Sequence, residues 1–349
     1  MRISPLLFPA VFGLSTALVA LLTPWAIWLG KRLDIVDTPG GRRQHKGRVV
    51  RLGGLFIYPA FLIAALFPLL VGIPRNDPLE VTRLIGVLVG MGIVWLVGLI
   101  DDYVELGATS QFIGLLLAAL VAIRFKVFIE VFNNPFTNGQ IQVNWYLMVP
   151  ITILWLVGMS ATVNMLDGLD GLATGVVGIS AFVLFIHMLR LHQYSVSLLP
   201  LALLGCCLGF IPYNFNPARI FLGGGAHVLG YAIGALSIVA GAKVASVLLL
   251  LWLPILDVFW QIYSRWKRDE SLTEGDRGHL HFRLRDAGYS QRQIVIGYYI
   301  VTALLGVIAL LAPSRFLKLV VLVGMAGLVF ILLFSLTHRP LSRPPLHRR

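Results

Sequence analysis

Long apolar runs alternate with short polar breaks along the whole chain, and each run has a length that suits a bilayer. A membrane-spanning helix needs roughly 17–25 predominantly apolar residues. Eleven such segments can be read, at 5–29, 52–73, 82–100, 109–130, 145–163, 172–191, 196–212, 226–241, 243–264, 293–312 and 315–337. The pattern predicts an all-α polytopic membrane protein of about eleven transmembrane helices, a single integral membrane domain over 1–349. The first span has no small-residue cleavage site behind it, so it reads as a retained helix and not a signal peptide. The polar breaks of interest are the loops 30–51, 101–108, 164–171, 213–225 and 265–292.

Composition agrees: 58% of residues are hydrophobic and 13% charged, with a mean hydropathy of +0.85. A soluble domain of this length could not bury so much apolar surface. The net charge of +12 could signal nucleic acid, but in a membrane protein it reports topology and anionic headgroups. No nucleic-acid partner is expected. Cys206 and Cys207 are adjacent inside an apolar span and suggest packing, with no disulfide framework.

Charge then sets orientation. One basic loop holds Lys31, Arg32, Arg42, Arg43, Lys46, Arg48 and Arg51; another holds Arg265, Lys267, Arg268, Arg277, Arg283, Arg285 and Arg292. The positive-inside rule makes both cytoplasmic. Eleven spans then place the N-terminus outside and the tail, with Arg339, Arg343, Arg348 and Arg349, inside. By parity the loops at 101–107, 164–171, 213–225 and 276–285 all face the cytoplasm, and they hold nearly every unusual polar residue. A transporter places ionisable groups near the midplane of its spans. Clustering on one face favours an interfacial enzyme that meets a water-soluble substrate and a lipid together.

Within those loops, Asn164-Met165-Leu166-Asp167-Gly168-Leu169-Asp170-Gly171 sets two carboxylates and a carboxamide between two spans. A carboxylate at membrane depth costs several kcal/mol without a partner; alone, the run could be a short acidic turn. Asp101 and Asp102 close another apolar run and could be a helix-end cap, a proton-sharing pair or a cation site. Four acids on one face favour Mg²⁺, and Mg²⁺ usually implies phosphate. The loop Asp276-Arg277-Gly278-His279-Leu280-His281 offers two imidazoles beside arginine, which suits a pyrophosphate better than zinc because no cysteine lies nearby. Arg42-Arg43-Gln44-His45-Lys46 and Arg51-Leu52-Gly53-Gly54 add cations and a glycine pair that permits close backbone approach. The Gly/Pro-rich run from Pro212 to Gly225 holds an Asn and aromatics that could read and stack a base, or be a structured turn.

These motifs, with Asp37-Thr38-Pro39, Gly98-Leu99-Ile100-Asp101-Asp102, Asn214 to Gly223 and Pro254-Ile255-Leu256-Asp257, occur in order over almost the whole chain. The set resembles the polyprenyl-phosphate N-acetylhexosamine-1-phosphate transferases of glycosyltransferase family 4. These begin O-antigen, teichoic acid and related polymers, and include phospho-MurNAc-pentapeptide transferase. The Arg-x-x-His-Lys loop is more similar to the GlcNAc branch. The resemblance implies transfer of a sugar 1-phosphate, GlcNAc-1-phosphate or a related N-acetylhexosamine, from a UDP-sugar to undecaprenyl phosphate with release of UMP. The setting would be a bacterial inner membrane, with a homodimer left open. It implies catalytic roles for Asp101, Asp102, Asp167, His279 and His281, with Asp101 and Asp102 serving the lipid phosphate. Asn164 and Asp167 would hold Mg²⁺, or Mn²⁺ in its place. Gly168, Leu169, Asp170, Asn214 and Phe221 would form the uracil pocket, and His45, Lys46, Arg51 and Arg277 would bind substrate.

Three departures from the family pattern involve four positions. Gly224 stands where a metal-binding aspartate is usual, Gln111 and Leu115 replace a basic residue and a Gln, and Phe282 replaces a third histidine. Loss of a metal carboxylate would cost ~10²-fold by the scale of single electrostatic groups. Asp170 or His227 is expected to compensate, and Gly224→Asp is expected to lower the Mg²⁺ requirement on condition that the backbone at these three consecutive glycines, 223–225, tolerates a side chain. The rival expectations are an impaired homologue that binds polyprenyl phosphate or a nucleotide sugar, and a transporter or flippase.

Overall fold

The computed structural model describes residues 4–37, 47–75, 77–134, 136–137, 139–241, 244–269, 278–312 and 314–337. Helices dominate. They are α1 (Leu7–Arg32), α2 (Ile57–Val71, preceded by a single 3₁₀ turn at Gly53–Leu55), α3 (Glu80–Val104), α4 (Ala108–Arg124), α5 (Trp145–Leu166), α6 (Leu172–Arg190) and α7 (Tyr194–Asn214). They continue with α8 (Gly225–Val239), α9 (Val244–Leu250), α10 (Trp252–Lys267), α11 (Leu280–Asp286), α12 (Gln291–Leu311) and α13 (Arg315–Thr337). Two small antiparallel pairs complete the described residues: β1 (Val36–Asp37) with β2 (Val49–Val50), and β3 (Val131–Asn133) with β4 (Gln140–Gln142).

Every apolar run read from the sequence is helical, yet the count of eleven spans is not reproduced. Among the described residues, eight helices are long and apolar enough to cross a membrane, or nine with the bent pair α9–α10. α4 and α8 have 17 and 15 residues, so at 1.5 Å per residue they are about 26 and 22 Å long, against ~30 Å of hydrocarbon. The run 243–264 is broken by 76° between α9 and α10. Pro254 explains the break: it has no N–H to give to the Leu250 carbonyl, and its ring crowds that carbonyl. α9 accordingly stops at Leu250.

α8 is the hub. All of its residues are buried, and it packs on α2, α3, α5, α6, α7 and α9. Small residues let the helices close on one another, since apolar lipid gives little drive for helices to associate beyond packing itself. A Cβ on Gly230 would lie 2.5 Å from the Met159 carbonyl of α5, and one on Gly209 of α7 would lie 2.5 Å from the Thr16 carbonyl of α1. α12 starts with a capping box, in which the Gln293 amide donates to Ser290 Oγ and the Ser290 amide to Gln293 Oε1.

The α1–α7 contact yields the first prediction. Gly209→Leu should lower the thermal midpoint in detergent, at the ~1–3 kcal/mol typical of overpacking. Gly158→Leu, which meets nothing within 4 Å, should leave it unchanged. Equal midpoints for both variants would contradict the packing described.

Candidate active site

The polar loops meet at one end of the bundle, where residues 49–54 run beside 220–222. The Phe221 amide donates to the Val50 carbonyl (2.8 Å), Gly53 N to Phe221 O (2.9 Å) and Gly54 N to Leu222 O (2.9 Å). The strands can close because they are bare: a Cβ on Gly54 would lie 2.5 Å from the Gly225 nitrogen. Arg51, half-buried, pairs with Glu105 just beyond α3 (3.0 Å).

The two acids at the end of α3 have different surroundings. Asp102 is buried, and its Oδ1 accepts from the Gly224 amide at 2.9 Å, which ties α3 to the start of α8. Its Oδ2 is buried without a hydrogen-bond partner. Gly223, at φ +56°, leaves room for this carboxyl; a Cβ there would lie 2.3 Å from Asp102 Oδ1. Asp101 is half-buried and accepts from Gln111 Nε2 at 2.9 Å. Gln111, a departure from the family pattern, is thus a direct partner of the acid pair.

Gly224 corrects an expectation. A Cβ built on it would lie 2.3 Å from Gly98 Cα and 2.4 Å from its carbonyl carbon and oxygen. Backbone cannot yield as a flexible side chain does, so an aspartate does not fit at 224 without moving α3 from α8. His227 lies on α8 with Nδ1 3.2 Å from Ser160 Oγ, and Ser160 Oγ donates to the His227 carbonyl at 2.9 Å.

α5 ends at Leu166, leaving Asn164 exposed on its last turn and Asp167 half-buried just past it. Burial, then the charges of Asp170 and Asp102, push the Asp167 carboxyl well above the usual carboxylate range. Asp170 faces the other way. Its Oδ2 accepts from Asn216 Nδ2 (2.9 Å) and the Ala218 amide (3.1 Å), while Arg292 donates to the Asn216 carbonyl. Asn214 is buried with both ends of its carboxamide engaged, accepting from Thr174 (2.8 Å) and donating to the Ile220 carbonyl (3.0 Å). Leu169 is in the core, and Phe221 is half-buried. Asp170 and Asn214 therefore shape the 213–225 loop from inside the protein.

α11 brings the histidines to the same place. His281 is buried against Gly168, where a Cβ would lie 2.2 Å from its Nε2. Burial, then neighbouring His279, push the His281 imidazole down to about 3. His279 stacks on His281 with ring centroids 5.6 Å apart, and its Nδ1 is 2.9 Å from Asp257 Oδ2. His45, Lys46 and Arg277 lie outside the described residues.

Among the described residues, no three His, Cys, Asp or Glu side chains converge as a metal cage. The donors at hand are Asn164 and Asp167, one helical turn apart, with Asp167 crowded by like charge. Mg²⁺ usually binds through one or two carboxylates, waters and substrate phosphates, and this donor set fits a cation shared with a diphosphate. Sequence reading missed Glu105, Asn216 and the roles of Gln111 and Asp257. Asp257 stood in a quoted motif, whereas the others become neighbours only on folding.

Residues 84–241 match the family model described as glycosyl transferase family 4. The chain is 31% identical over 342 residues to a decaprenyl-phosphate N-acetylglucosaminephosphotransferase of Mycolicibacterium smegmatis, covering 89% of this chain and 82% of that one. It is 29% identical over 310 residues to a probable undecaprenyl-phosphate N-acetylglucosaminyl 1-phosphate transferase of Bacillus subtilis (87% and 84% covered). A phospho-N-acetylmuramoyl-pentapeptide-transferase of Listeria welshimeri is 30% identical over 315 residues (84% and 92% covered).

The Gly98–Gly224 contact makes a prediction against the simple repair. Gly224→Asp should lower the yield of monodisperse protein and its thermal midpoint, and should not reduce the concentration of Mg²⁺ needed for turnover. A stable variant that saturates at lower Mg²⁺ would contradict the geometry.

Proposed function

The chain belongs to glycosyl transferase family 4, and from that premise we propose that it transfers an N-acetylhexosamine 1-phosphate from a UDP-sugar to undecaprenyl phosphate, releasing UMP. GlcNAc-1-phosphate is the first candidate, by the GlcNAc-transferring relatives. The observation that carries the reading is the meeting of five polar segments at one end of an apolar bundle. There Asp167 lies within reach of the charges of Asp102 and Asp170, and His281 presses on Gly168. A soluble donor and a lipid acceptor can meet only at such an end.

In this reading a phosphate oxygen of the acceptor attacks the β-phosphorus of the donor in line. The bond from that phosphorus to the bridging oxygen breaks, and its electron pair leaves on UMP. The protein's task is positioning and charge stabilisation more than covalent chemistry. Asp101, steadied by Gln111, orients the acceptor head. The turn 168–170 and Phe221 enclose the uracil, while Asn214 and Asp170 hold that wall from within, Asp170 through Asn216 and Ala218. His279 and His281 serve the diphosphate, and His45, Lys46, Arg51 and Arg277 are the further substrate-binding residues of this reading. Asn164 and Asp167 would hold Mg²⁺, or Mn²⁺, which neutralises diphosphate charge when bound. The site faces the cytoplasm of a bacterial cell membrane, with the N-terminus outside, as the basic loops suggest.

Membranes given undecaprenyl phosphate, Mg²⁺ and a panel of radiolabelled UDP-sugars should convert one donor to butanol-extractable product, and excess EDTA should abolish this. Asn164→Ala and Asp167→Ala should each cut turnover ~10²-fold without altering the elution profile. No labelled lipid from any donor, or full activity in EDTA, would overturn the assignment. For orientation, a single cysteine at Ser110, in a background without Cys206 and Cys207, should resist an impermeant thiol reagent in intact cells. Labelling from outside would reverse the assigned face.

A further inference from the structure

Asp257 has no part in the reaction as derived above, yet it is the acid most firmly tied to the histidine segment. It is 3% exposed on α10, the helix that the break before Trp252 turns across the bundle. Its Oδ1 accepts from the Leu280 amide at 2.8 Å, and its Oδ2 lies 2.9 Å from His279 Nδ1. An ionised carboxylate only accepts, so Nδ1 carries the hydrogen and the opposite ring edge, Nε2, is left for another partner. Among the described residues His279 is the only basic side chain paired with this carboxylate. The stacked neighbour does not compete: both His281 nitrogens are buried without a partner. Tyr298, also buried, is the other titratable group within reach of Asp257.

We propose that Asp257 is a positioning residue, fixing the His279 ring through Nδ1–H so that its opposite edge, Nε2, meets the donor diphosphate where charge passes to UMP. This rests on the transfer reaction proposed above and adds how the leaving group is served. As the new oxygen–phosphorus bond forms and the bond to the bridging oxygen breaks, the electron pair moves onto the UMP phosphate, beside that fixed ring edge. No proton changes hands. A carboxylate behind an imidazole fixes its tautomer and orientation, as in other sites where a second shell sets the first.

Asp257→Asn is the informative change, because its amide oxygen can still accept from Leu280 N–H while the charge is lost. Its kcat should fall at least about tenfold, with KM for UDP-sugar and for undecaprenyl phosphate within about threefold. His279→Ala should fall at least as far, and the double variant no further than His279→Ala alone, because the two residues act as one unit. Wild-type kcat in Asp257→Asn, or losses that multiply in the double variant, would overturn the proposal. Should Asp257→Asn not fold, ¹⁵N-histidine NMR of the wild type decides, with His279 assigned by loss of its signal in His279→Gln. A hydrogen on Nδ1 is expected, and a ring protonated on Nε2 alone would overturn the proposal. A wild type inactive on every UDP-sugar would instead refute the transfer reaction, whereas an active wild type with unimpaired Asp257→Asn would refute only this inference.

Discussion

The backbones of Gly98 and Gly224 touch, and the Asp102 carboxylate closes the contact by accepting from the Gly224 amide at 2.9 Å. The end of α3 is thereby locked to the first turn of α8, the helix on which six others pack. Gly54 presses on Gly225 beside it, so the strap after Arg51 is drawn onto the same point. Without bare backbone at 54, 98, 224 and 225 the acid pair would sit several ångströms from the 213–225 loop. Substrate groups could not then be shared between them. Close approach therefore outweighs the conformational freedom that glycines lose on folding.

Charge is arranged around this seam so that most acids are answered from within the protein. Asp102 has an amide, Asp101 has Gln111, Asp170 has Asn216 and Ala218, and Asp257 has His279 and the Leu280 amide. Asp167 differs. It is half-buried, it feels the charges of Asp170 and Asp102, and these raise its affinity for a proton. A divalent cation relieves the same repulsion more effectively, and a diphosphate can supply the ligands that the protein does not. The position of Gly224 in the seam makes this division of labour a consequence of packing.

The helices and the gathering of polar loops were legible because they rest on hydropathy and charge, which a linear pattern records. The length of α4 was overread because Phe125, Val127, Phe128 and Ile129 continue the apolar pattern past its end, whereas α8 has nearly the length read for it and is simply short for a span. The break before α10 was hidden in an apolar run on both sides, although Pro254 marked it. Asp101, Asp167 and the two histidines could be picked out by residue type and spacing. The roles of Asn214 and Asp170 as internal braces could not, since both depend on partners 6 to 48 residues away. Nor could the obstacle at Gly224, because the occupant of that space belongs to another helix.

The most direct test is a structure of the full chain with UDP and Mn²⁺, in which anomalous scattering locates the metal. The expected result is a single strong peak within ligand distance of Asp167 and of the UDP diphosphate, with the uracil against 168–170 and Phe221. Mn²⁺ and nucleotide bound together away from the end of α5, or a nucleotide on the opposite end of the bundle, would contradict the site described.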